Sequence, residues 1–105
     1  NTQAVGQLGE LLTRWFLDDH GLRVIATNVR VDRGEIDILA LDRGERVAVE
    51  VRTITGYGEP IDAADPAKRQ KVRRLASKAG ASRVDFVGVR IDPAAVVFHW
   101  VPGGV

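Results

Sequence analysis

The sequence predicts an α/β domain in which two helices pack against one mixed β-sheet. Apolar residues recur at helical spacing near the amino terminus, and short segments rich in β-branched residues follow them. A second helix, with its own start and stop signals, then separates the third strand from the fourth. The predicted order of elements is therefore αβββαββ. Because the third and fourth strands are joined through a helix, we expect them to run parallel.

Composition indicates one globular domain over residues 1–105. The chain has 105 residues, and 45% of them are hydrophobic, which is enough for a single core. Its net charge of +1 gives no global argument for a nucleic-acid partner. The lack of cysteine excludes disulfides and thiolate metal sites, and it is typical of a reducing compartment. The sequence also has no apolar run long enough for a membrane span, so we expect a cytoplasmic protein without a membrane partner.

The first helix is predicted from Gln3 to Asp19, and Gly21 suits a left-handed position at its carboxyl-terminal cap. Its apolar residues gather on one face, which we expect to be buried. They are Val5, Leu8, Leu11, Leu12, Trp15 and Phe16. The segment Leu22–Val31 is rich in β-branched side chains and is expected to form the first strand.

A predicted hairpin of alternating acidic and apolar residues is the most informative feature of the chain. Its strands are Gly34–Ala40 and Val47–Arg52, and its turn pairs Asp42 with Glu45. A register slipped by one residue would place charged side chains among the apolar ones, so the pattern favours this pairing. One face of the hairpin is then continuously apolar. It consists of Ile36, Ile38, Ala40, Val47, Val49 and Val51.

The other face of the hairpin brings carboxylates together. In the predicted register, Asp37 faces Glu50 and Glu35 faces Arg52. Like charges opposed in a sheet are destabilising, so this pair of acids requires Arg52, a lysine from elsewhere or a metal ion. Carboxylates that converge from adjacent strands suit Mg²⁺ or Mn²⁺, which can activate water and stabilise charge developing on a phosphate. A structural ion-pair network on an exposed sheet face is the alternative.

The second helix is bounded by clear signals. Asp65 can act as its N-cap, Pro66 as its first residue, and Gly80 ends it. The preceding segment, Thr53–Ala64, is predicted to be a loop because glycine and proline punctuate it. The strands predicted after the helix are Arg83–Asp92 and Ala95–Val101.

The second helix is also strongly basic, which suits a polyanion such as nucleic acid. Its cations are Lys68, Arg69, Lys71, Arg73, Arg74 and Lys78. Lys68 lies on the apolar stripe of this helix, so we expect its ammonium group to point toward the sheet. Tyr57, between two glycines, would stack on a base or sugar. The alternatives are a solvated basic face and an ordinary turn at Tyr57.

Several short blocks occur in a specific order between about Gly6 and Asp92. They are Gly9-Glu10, Gly34-Glu35-Ile36-Asp37, Val49-Glu50-Val51, Ala63 to Lys68 and Arg83-Val84-Asp85. In combination these blocks resemble the YraN-like family of small bacterial proteins, whose members look like nucleases of the PD-(D/E)xK superfamily. The resemblance implies a restriction-endonuclease-like αβββαβ core, a mixed sheet flanked by two helices, with one extra carboxyl-terminal strand.

The resemblance also implies roles for individual residues. Asp37 and Glu50 match metal-binding acids for Mg²⁺ or Mn²⁺, and Arg52, Glu10 and Lys68 match further positions of the nuclease site. Our own hypothesis adds the carbonyl of Val51 as a metal ligand and Glu35 as an assisting acid. The predicted catalytic residues are therefore Asp37, Glu50, Arg52, Glu35, Glu10 and Lys68. Arg52 occupies the position where the family normally has a catalytic lysine. Glu10 lies nearly opposite the apolar stripe of the first helix, which also fits a solvent-facing position.

We therefore predict a metal-dependent, endonuclease-like protein that binds DNA and hydrolyses phosphodiester bonds, with homodimerisation as a further expectation. The basic residues of the second helix and Tyr57 would bind the nucleic acid. A catalytically inactive nucleic-acid-binding module is the alternative, because the arginine at position 52 stays protonated and lacks the tunable ammonium of a lysine. A third possibility is an interaction domain that pairs its exposed last strand with a partner.

Overall fold

The computed structural model describes residues 2–56 and 66–105. In chain order the elements are α1 (Thr2–Asp19), β1 (Arg23–Val31), β2 (Gly34–Asp42), β3 (Glu45–Thr55), α2 (Pro66–Lys78), β4 (Arg83–Ile91) and β5 (Val96–Val101). The strands form one sheet in the order β1-β2-β3-β4-β5. The β3–β4 pair is parallel and the other neighbouring pairs are antiparallel. The predicted element order and the parallel third and fourth strands are confirmed.

Glycines in left-handed conformation end both helices. Gly21 has a φ of 87°, and the Leu22 N–H donates back to the Leu17 carbonyl at 2.9 Å. Gly80 has a φ of 81° and follows α2 in the same way. Glycine is favoured there because it has no Cβ to clash in this region of φ. The predicted start of α2 at Pro66 is confirmed, whereas the predicted N-cap Asp65 lies outside the described residues.

The β2–β3 hairpin has the predicted register where the two strands pair. Its ladder runs from Ile38–Val49 to Asp42–Glu45. The two turn residues, Arg43 and Gly44, have φ values of 53° and 85°, as a type I′ turn requires. This turn fixes the pairing, and the alternation of side chains then follows from it.

The two faces of the sheet carry separate cores. The face toward α1 buries Leu17, Leu22, Ile38, Ala40, Val47, Val49, Val87 and Val89. The face toward α2 buries Ile36, Leu39, Ala48, Leu75, Ala76 and Val84. The predicted apolar face of the hairpin is therefore wrong at one position, because Ile36 packs with the α2 core rather than with Ile38. Strict alternation fails in β2 between these two residues, at Asp37.

The predicted buried stripe of α1 is wrong for Leu8, Leu11 and Trp15, whereas Phe16 packs against the core. Trp15 is 66% exposed and Leu11 is 58% exposed, whereas Gly9, Thr13 and Leu17 are buried. Spacing of four residues also describes this second stripe, whose small members let the helix approach the sheet closely. Close packing against β3 thus selects a face that hydrophobicity alone does not indicate.

The end of the sheet at the start of β4 is held by a buried carboxylate. Asp85 has a fully buried side chain and accepts hydrogen bonds from the Arg83 guanidinium at 2.8 and 3.0 Å. Trp100 Nε1 at 3.0 Å and the Gly103 N–H at 2.8 Å complete its partners. A buried charge is tolerated when it is paired and hydrogen-bonded in this way. Among the described residues, no helix is long and apolar enough to cross a membrane.

Candidate functional site

The candidate site lies where β2 and β3 separate. Their ladder stops at Ile38–Val49, and beyond it the Val51 N–H donates to Asp37 Oδ2 at 2.9 Å. The predicted backbone pairing of Asp37 with Glu50 lies past this point and is therefore not part of the ladder. The two carboxyl groups nevertheless meet, because a side-chain hydrogen bond joins Asp37 and Glu50. At the end of the ladder, the Asp37 side chain thus accepts a hydrogen bond from a backbone N–H that would otherwise pair with a backbone carbonyl of the sheet.

The environment of Asp37 disfavours its negative charge. Burial raises the pKa of Asp37, while the hydrogen bonds from Val51 and Glu50 oppose that rise. The negative charge of Glu35 raises the pKa of Asp37 further, and the positive charge of Lys68 lowers it. A carboxyl group held in this condition gains most from a cation placed next to it.

A second pair of carboxylates is held beside Asp37 by an asparagine that the sequence analysis did not single out. Asn28 Nδ2 donates to Glu10 Oε1 at 3.1 Å and to Glu35 Oε1 at 3.0 Å. The β1–β2 register, with Thr27 facing Ile38 and Val29 facing Ile36, places Asn28 opposite Asp37. Both amide protons of one side chain thus serve two acids at the edge of the site.

Glu10 is half-buried beside this cluster and accepts a hydrogen bond from Asn28, in contrast to the solvent-facing alternative. Burial raises the pKa of Glu10, its hydrogen bond with Asn28 lowers it, and the charges of Asp37 and Glu35 raise it. Glu10, Asn28, Glu35, Asp37 and Glu50 are hereafter called the acidic cluster. The cluster draws on α1, β1, β2 and β3.

Close contact between α1 and β3 determines where Glu10 lies. A Cβ atom at Gly9 would lie 1.8 Å from Thr53 Oγ1, so only glycine allows this approach. The buried Thr13 Oγ1 donates to the Gly9 carbonyl at 2.7 Å one turn later. The helix is therefore seated on β3 beside the cluster, and the residue that follows Gly9 is brought to it.

The two cations predicted at the site, Lys68 and Arg52, have different surroundings in the structure. Lys68, in the first turn of α2, is exposed, and its charge lowers the pKa of Asp37. Arg52 is exposed on β3 beside Gly88 of β4 and forms no ion pair with a residue in the described ranges. The predicted pairing of Glu35 with Arg52 is wrong, because Glu35 binds Asn28 instead.

The predicted nucleic-acid-binding residues of α2 are all exposed, namely Lys68, Arg69, Lys71, Arg73, Arg74 and Lys78. Lys78 Nζ forms an ion pair with Asp32 in the β1–β2 turn. The others have no acidic residue on their own helix to neutralise them. Tyr57, the predicted stacking residue, lies outside the described residues.

Asn28 and Gly9 are the site residues whose role sequence reasoning missed. Asparagine is unfavourable inside a strand, and Asn28 interrupts a segment that is otherwise rich in β-branched residues. Its φ of 51° is a left-handed conformation that asparagine tolerates better than most residues. The sequence signal that could have identified Asn28 was a polar residue, unfavourable in strands, inside a segment of β-branched residues.

The acids of the cluster offer oxygen atoms of the kind that bind divalent cations, but they do not form a complete set of metal ligands. Within residues 2–56 and 66–105, no group of three or more histidine, cysteine or acidic side chains is arranged ready to hold a metal ion. Asp37 and Glu50 are in direct contact, and carboxylate oxygens are the ligands that hard divalent cations prefer. A divalent cation between them would replace the hydrogen bond that now joins the two carboxyl groups.

Comparison with known proteins identifies relatives along nearly the whole chain. Residues 9–94 match the family described as "Uncharacterised protein family UPF0102". A UPF0102 protein of Symbiobacterium thermophilum is 46% identical over 78 residues, which cover 72% of this chain and 66% of that protein. A UPF0102 protein of Leifsonia xyli subsp. xyli is 39% identical over 110 residues, covering 94% of this chain and 93% of the relative.

Solved structures show the fold. Archaeoglobus fulgidus Hjc, a Holliday junction resolvase from an archaeal hyperthermophile, superimposes with a TM-score of 0.60 at 19% identity. The match covers 93% of this chain and 77% of that one. The protein SSO0001 has a TM-score of 0.51 at 15% identity, over 96% of this chain and 52% of its own. The αβββαβ core with an added strand is thus the restriction-endonuclease-like fold, and the chain belongs to the UPF0102 (YraN-like) family.

Proposed function

We propose that this protein is a nuclease-type DNA-binding protein whose acidic cluster binds Mg²⁺ or Mn²⁺ and hydrolyses phosphodiester bonds. The observation that carries the proposal is the contact between Asp37 and Glu50 at the point where β2 and β3 separate. Half-buried acids in contact are costly in a purely structural role, and burial raises the pKa of Asp37. Perturbed carboxyl groups of this kind cluster at functional sites.

Asp37 and Glu50 would hold the metal ion, with the carbonyl of Val51 as a third ligand. The ion, when bound, supplies an activated water and stabilises charge that develops on the phosphate. Glu35 and Glu10 lie behind Asp37, held by Asn28, and would orient water molecules at the cluster. Their negative charges also strengthen the attraction of the cluster for a divalent cation.

Cations at the rim would position the DNA. Lys68 already acts electrostatically on Asp37, and Arg52 is exposed on the strand that carries Glu50. We assign both to the phosphate that is cleaved, because guanidinium and ammonium groups bind phosphate oxygens strongly. The exposed Arg69, Lys71, Arg73 and Arg74 would follow the backbone beyond it.

The first test is metal binding, which does not depend on knowing the substrate. Manganese is titrated into ¹⁵N-labelled protein, and paramagnetic broadening of backbone amides is followed. We expect broadening centred on Asp37, Glu50 and Val51. Glu50→Gln should abolish it, whereas Asp18→Asn, which removes an exposed acid from α1, should leave it unchanged. Broadening that is absent or scattered over the surface in the parent protein would contradict the metal site.

The second test is cleavage. Because the Archaeoglobus fulgidus neighbour is a Holliday junction resolvase, branched DNA is the first substrate to try, beside a linear duplex and a single strand. Cleavage that requires manganese or magnesium and is lost in Glu50→Gln would support the proposal. Cleavage that persists in Glu50→Gln would show that a contaminant or another site is responsible. The same preparations, examined by sedimentation equilibrium, would test the homodimer that we propose for a substrate with two strands to cut.

A non-catalytic DNA-binding function is the second candidate, and Arg52 favours it. Arginine stays protonated at all relevant pH values and binds phosphate in a fixed fork, so it holds a phosphate without tuning a proton transfer. On this reading the parent protein binds DNA but does not cleave it with any metal. Arg52→Lys is the discriminating variant. Cleavage that appears only in Arg52→Lys would establish the binding function for the natural chain, and equal cleavage by both proteins would exclude it.

A further inference from the structure

A basic cleft lies between the β1–β2 turn and α2, and no residue of the acidic cluster lines it. Its volume is about 470 Å³. It is lined by Asp32, Arg33, Gly34, Lys71, Arg74 and Leu75. Of these residues, Arg33 belongs to the turn rather than to the basic helix. The cleft therefore brings cations from two separate parts of the chain to one place.

The one acid of the cleft is already neutralised. Asp32 pairs with Lys78, which lines no part of the cleft. This contact and the nearby charge of Arg74 lower the pKa of Asp32. Arg33, Lys71 and Arg74 are exposed and form no ion pair with any residue that the structure describes. The cleft thus keeps an excess of positive charge that a bound anion would balance.

The turn and the helix are held in a fixed relation. A Cβ atom at Gly34 would lie 2.4 Å from Leu75 Cδ1, so the turn packs directly on the buried side of α2. The ion pair of Lys78 with Asp32 links the same two elements at the surface. The packing of Gly34 against Leu75 fixes the relative position of the two backbone segments that carry the three cations, which reduces the cost of bringing these cations to one anion.

The cleft is next to the acidic cluster along β2. Gly34 lines the cleft, and the following residue, Glu35, belongs to the cluster. Asp37 is three residues beyond Gly34, which is about 10 Å along a strand. A strand with one phosphate at Asp37 would therefore carry another phosphate, within a few nucleotides, at the cleft.

From these observations we propose that Arg33, Lys71 and Arg74 form a phosphate-binding subsite for the nucleic-acid strand that crosses the acidic cluster. This inference rests on the proposed function and extends it, because it names the direction in which the strand leaves the site. Lys78 is not part of the subsite, because it does not line the cleft and its ammonium group pairs with Asp32.

Salt-dependent DNA binding tests the subsite. Fluorescence anisotropy with a labelled branched DNA and a labelled duplex is measured over a range of NaCl concentrations for the parent, Arg33→Gln and Arg74→Gln. We expect each variant to bind about three- to tenfold more weakly and to lower the slope of log affinity against log salt by about one. Arg14→Gln removes the same charge from an exposed position on α1 and should match the parent. Thermal unfolding verifies that all variants are folded.

The outcomes separate the two proposals. Parent-like affinity and slope in Arg33→Gln would overturn the subsite while leaving the acidic cluster untouched. Manganese broadening at Asp37 should be the same in Arg33→Gln as in the parent, and its loss would mean that the turn acts on the cluster rather than on DNA. Inorganic phosphate that binds the cleft without any DNA binding by the parent would overturn the strand path and contradict the proposed function too.

Discussion

Asp37 lowers the stability of the folded protein at the position where we propose a metal site. Its carboxyl group ends the β2–β3 ladder by accepting the Val51 N–H, and it is surrounded by the acids Glu35 and Glu50. Burial raises its pKa, so the folded protein disfavours the ionised form that a metal ion would require. An amide could make the same backbone hydrogen bond without that cost. The acid is therefore better explained by binding than by folding.

We expect Asp37→Asn to stabilise the metal-free protein at pH 7 by about 1 kcal/mol, because it keeps an acceptor for Val51 and removes the charge repulsion. The raised folded pKa means that the stability due to protonation is present below the unfolded pKa and is lost as pH rises through the folded pKa. The gain should therefore shrink as pH falls below that folded pKa. Urea unfolding at several pH values measures it, with Asp18→Asn as the control. A less stable Asp37→Asn at pH 7 would contradict this explanation.

The role of Asn28 could not be predicted from the spacing of residues in the sequence. Hairpin register predicted the meeting of Asp37 with Glu50, but it could not show that an amide on a neighbouring strand would bind Glu35 in place of Arg52. That choice depends on the β1–β2 register and on a left-handed backbone at Asn28, both of which are tertiary features. Residues that serve several acids at once are therefore hard to find from pattern alone.

Asn28→Gly should lower the free energy of unfolding by about 1 kcal/mol, because Glu10 and Glu35 lose their shared donor. Glycine keeps the left-handed backbone, so Asn28→Ala should cost about 1 kcal/mol more through strain. Both variants should also weaken manganese binding, since Glu10 and Glu35 are no longer held beside Asp37. Chemical unfolding and manganese titration provide the two readouts. Equal stability of the glycine and alanine variants would exclude the strain contribution.

At the scale of elements, strand order, turns and helix ends followed from local rules, whereas the orientation of α1 did not. The apolar stripe with Leu11 and Trp15 was the natural choice for burial, yet the stripe of Gly9, Thr13 and Leu17 lies against the sheet. A helix with two possible stripes is oriented by how closely its backbone can approach its neighbour, and that depends on Thr53 across the contact. Hydrophobic periodicity contains no information about such a contact.

Gly9→Ala should therefore destabilise the protein by about 1–3 kcal/mol, because the added methyl group would overlap Thr53 and push α1 away. Gly6→Ala is the matched control in the same helix. No atom lies within 4 Å of a Cβ at Gly6, so this change should stabilise the helix by about 0.5–1 kcal/mol. Thermal and chemical unfolding of both variants measure the difference. Similar effects of the two substitutions would show that close packing does not orient α1.

Over the whole molecule, two acids of the sheet have opposite surroundings. Asp85, on β4, is fully buried, and its oxygens are satisfied by Arg83, Trp100 and Gly103. Asp37, on β2, is half-buried, accepts one backbone hydrogen bond and otherwise meets other acids and the charge of Lys68. The first arrangement stabilises the fold, and in the proposed function the second attracts a cation.

This difference in surroundings predicts that replacing aspartate by asparagine has opposite effects on stability at the two positions. Asp85→Asn leaves the half-buried Arg83 guanidinium without its main counter-charge and disturbs hydrogen bonds to a fully buried side chain, so we expect a loss of about 1–3 kcal/mol, in contrast to the gain in Asp37→Asn. Glu45→Gln, which removes a more exposed partner of Arg83, should cost less than about 1 kcal/mol. Manganese titration, performed at a temperature where the variants are folded, should show normal broadening at Asp37 and Glu50 in Asp85→Asn. Loss of metal binding in a folded Asp85→Asn protein would mean that the surroundings of Asp85 and Asp37 are coupled through β3. A small loss of stability would mean instead that the arginine finds sufficient compensation in Asp42 and Glu45.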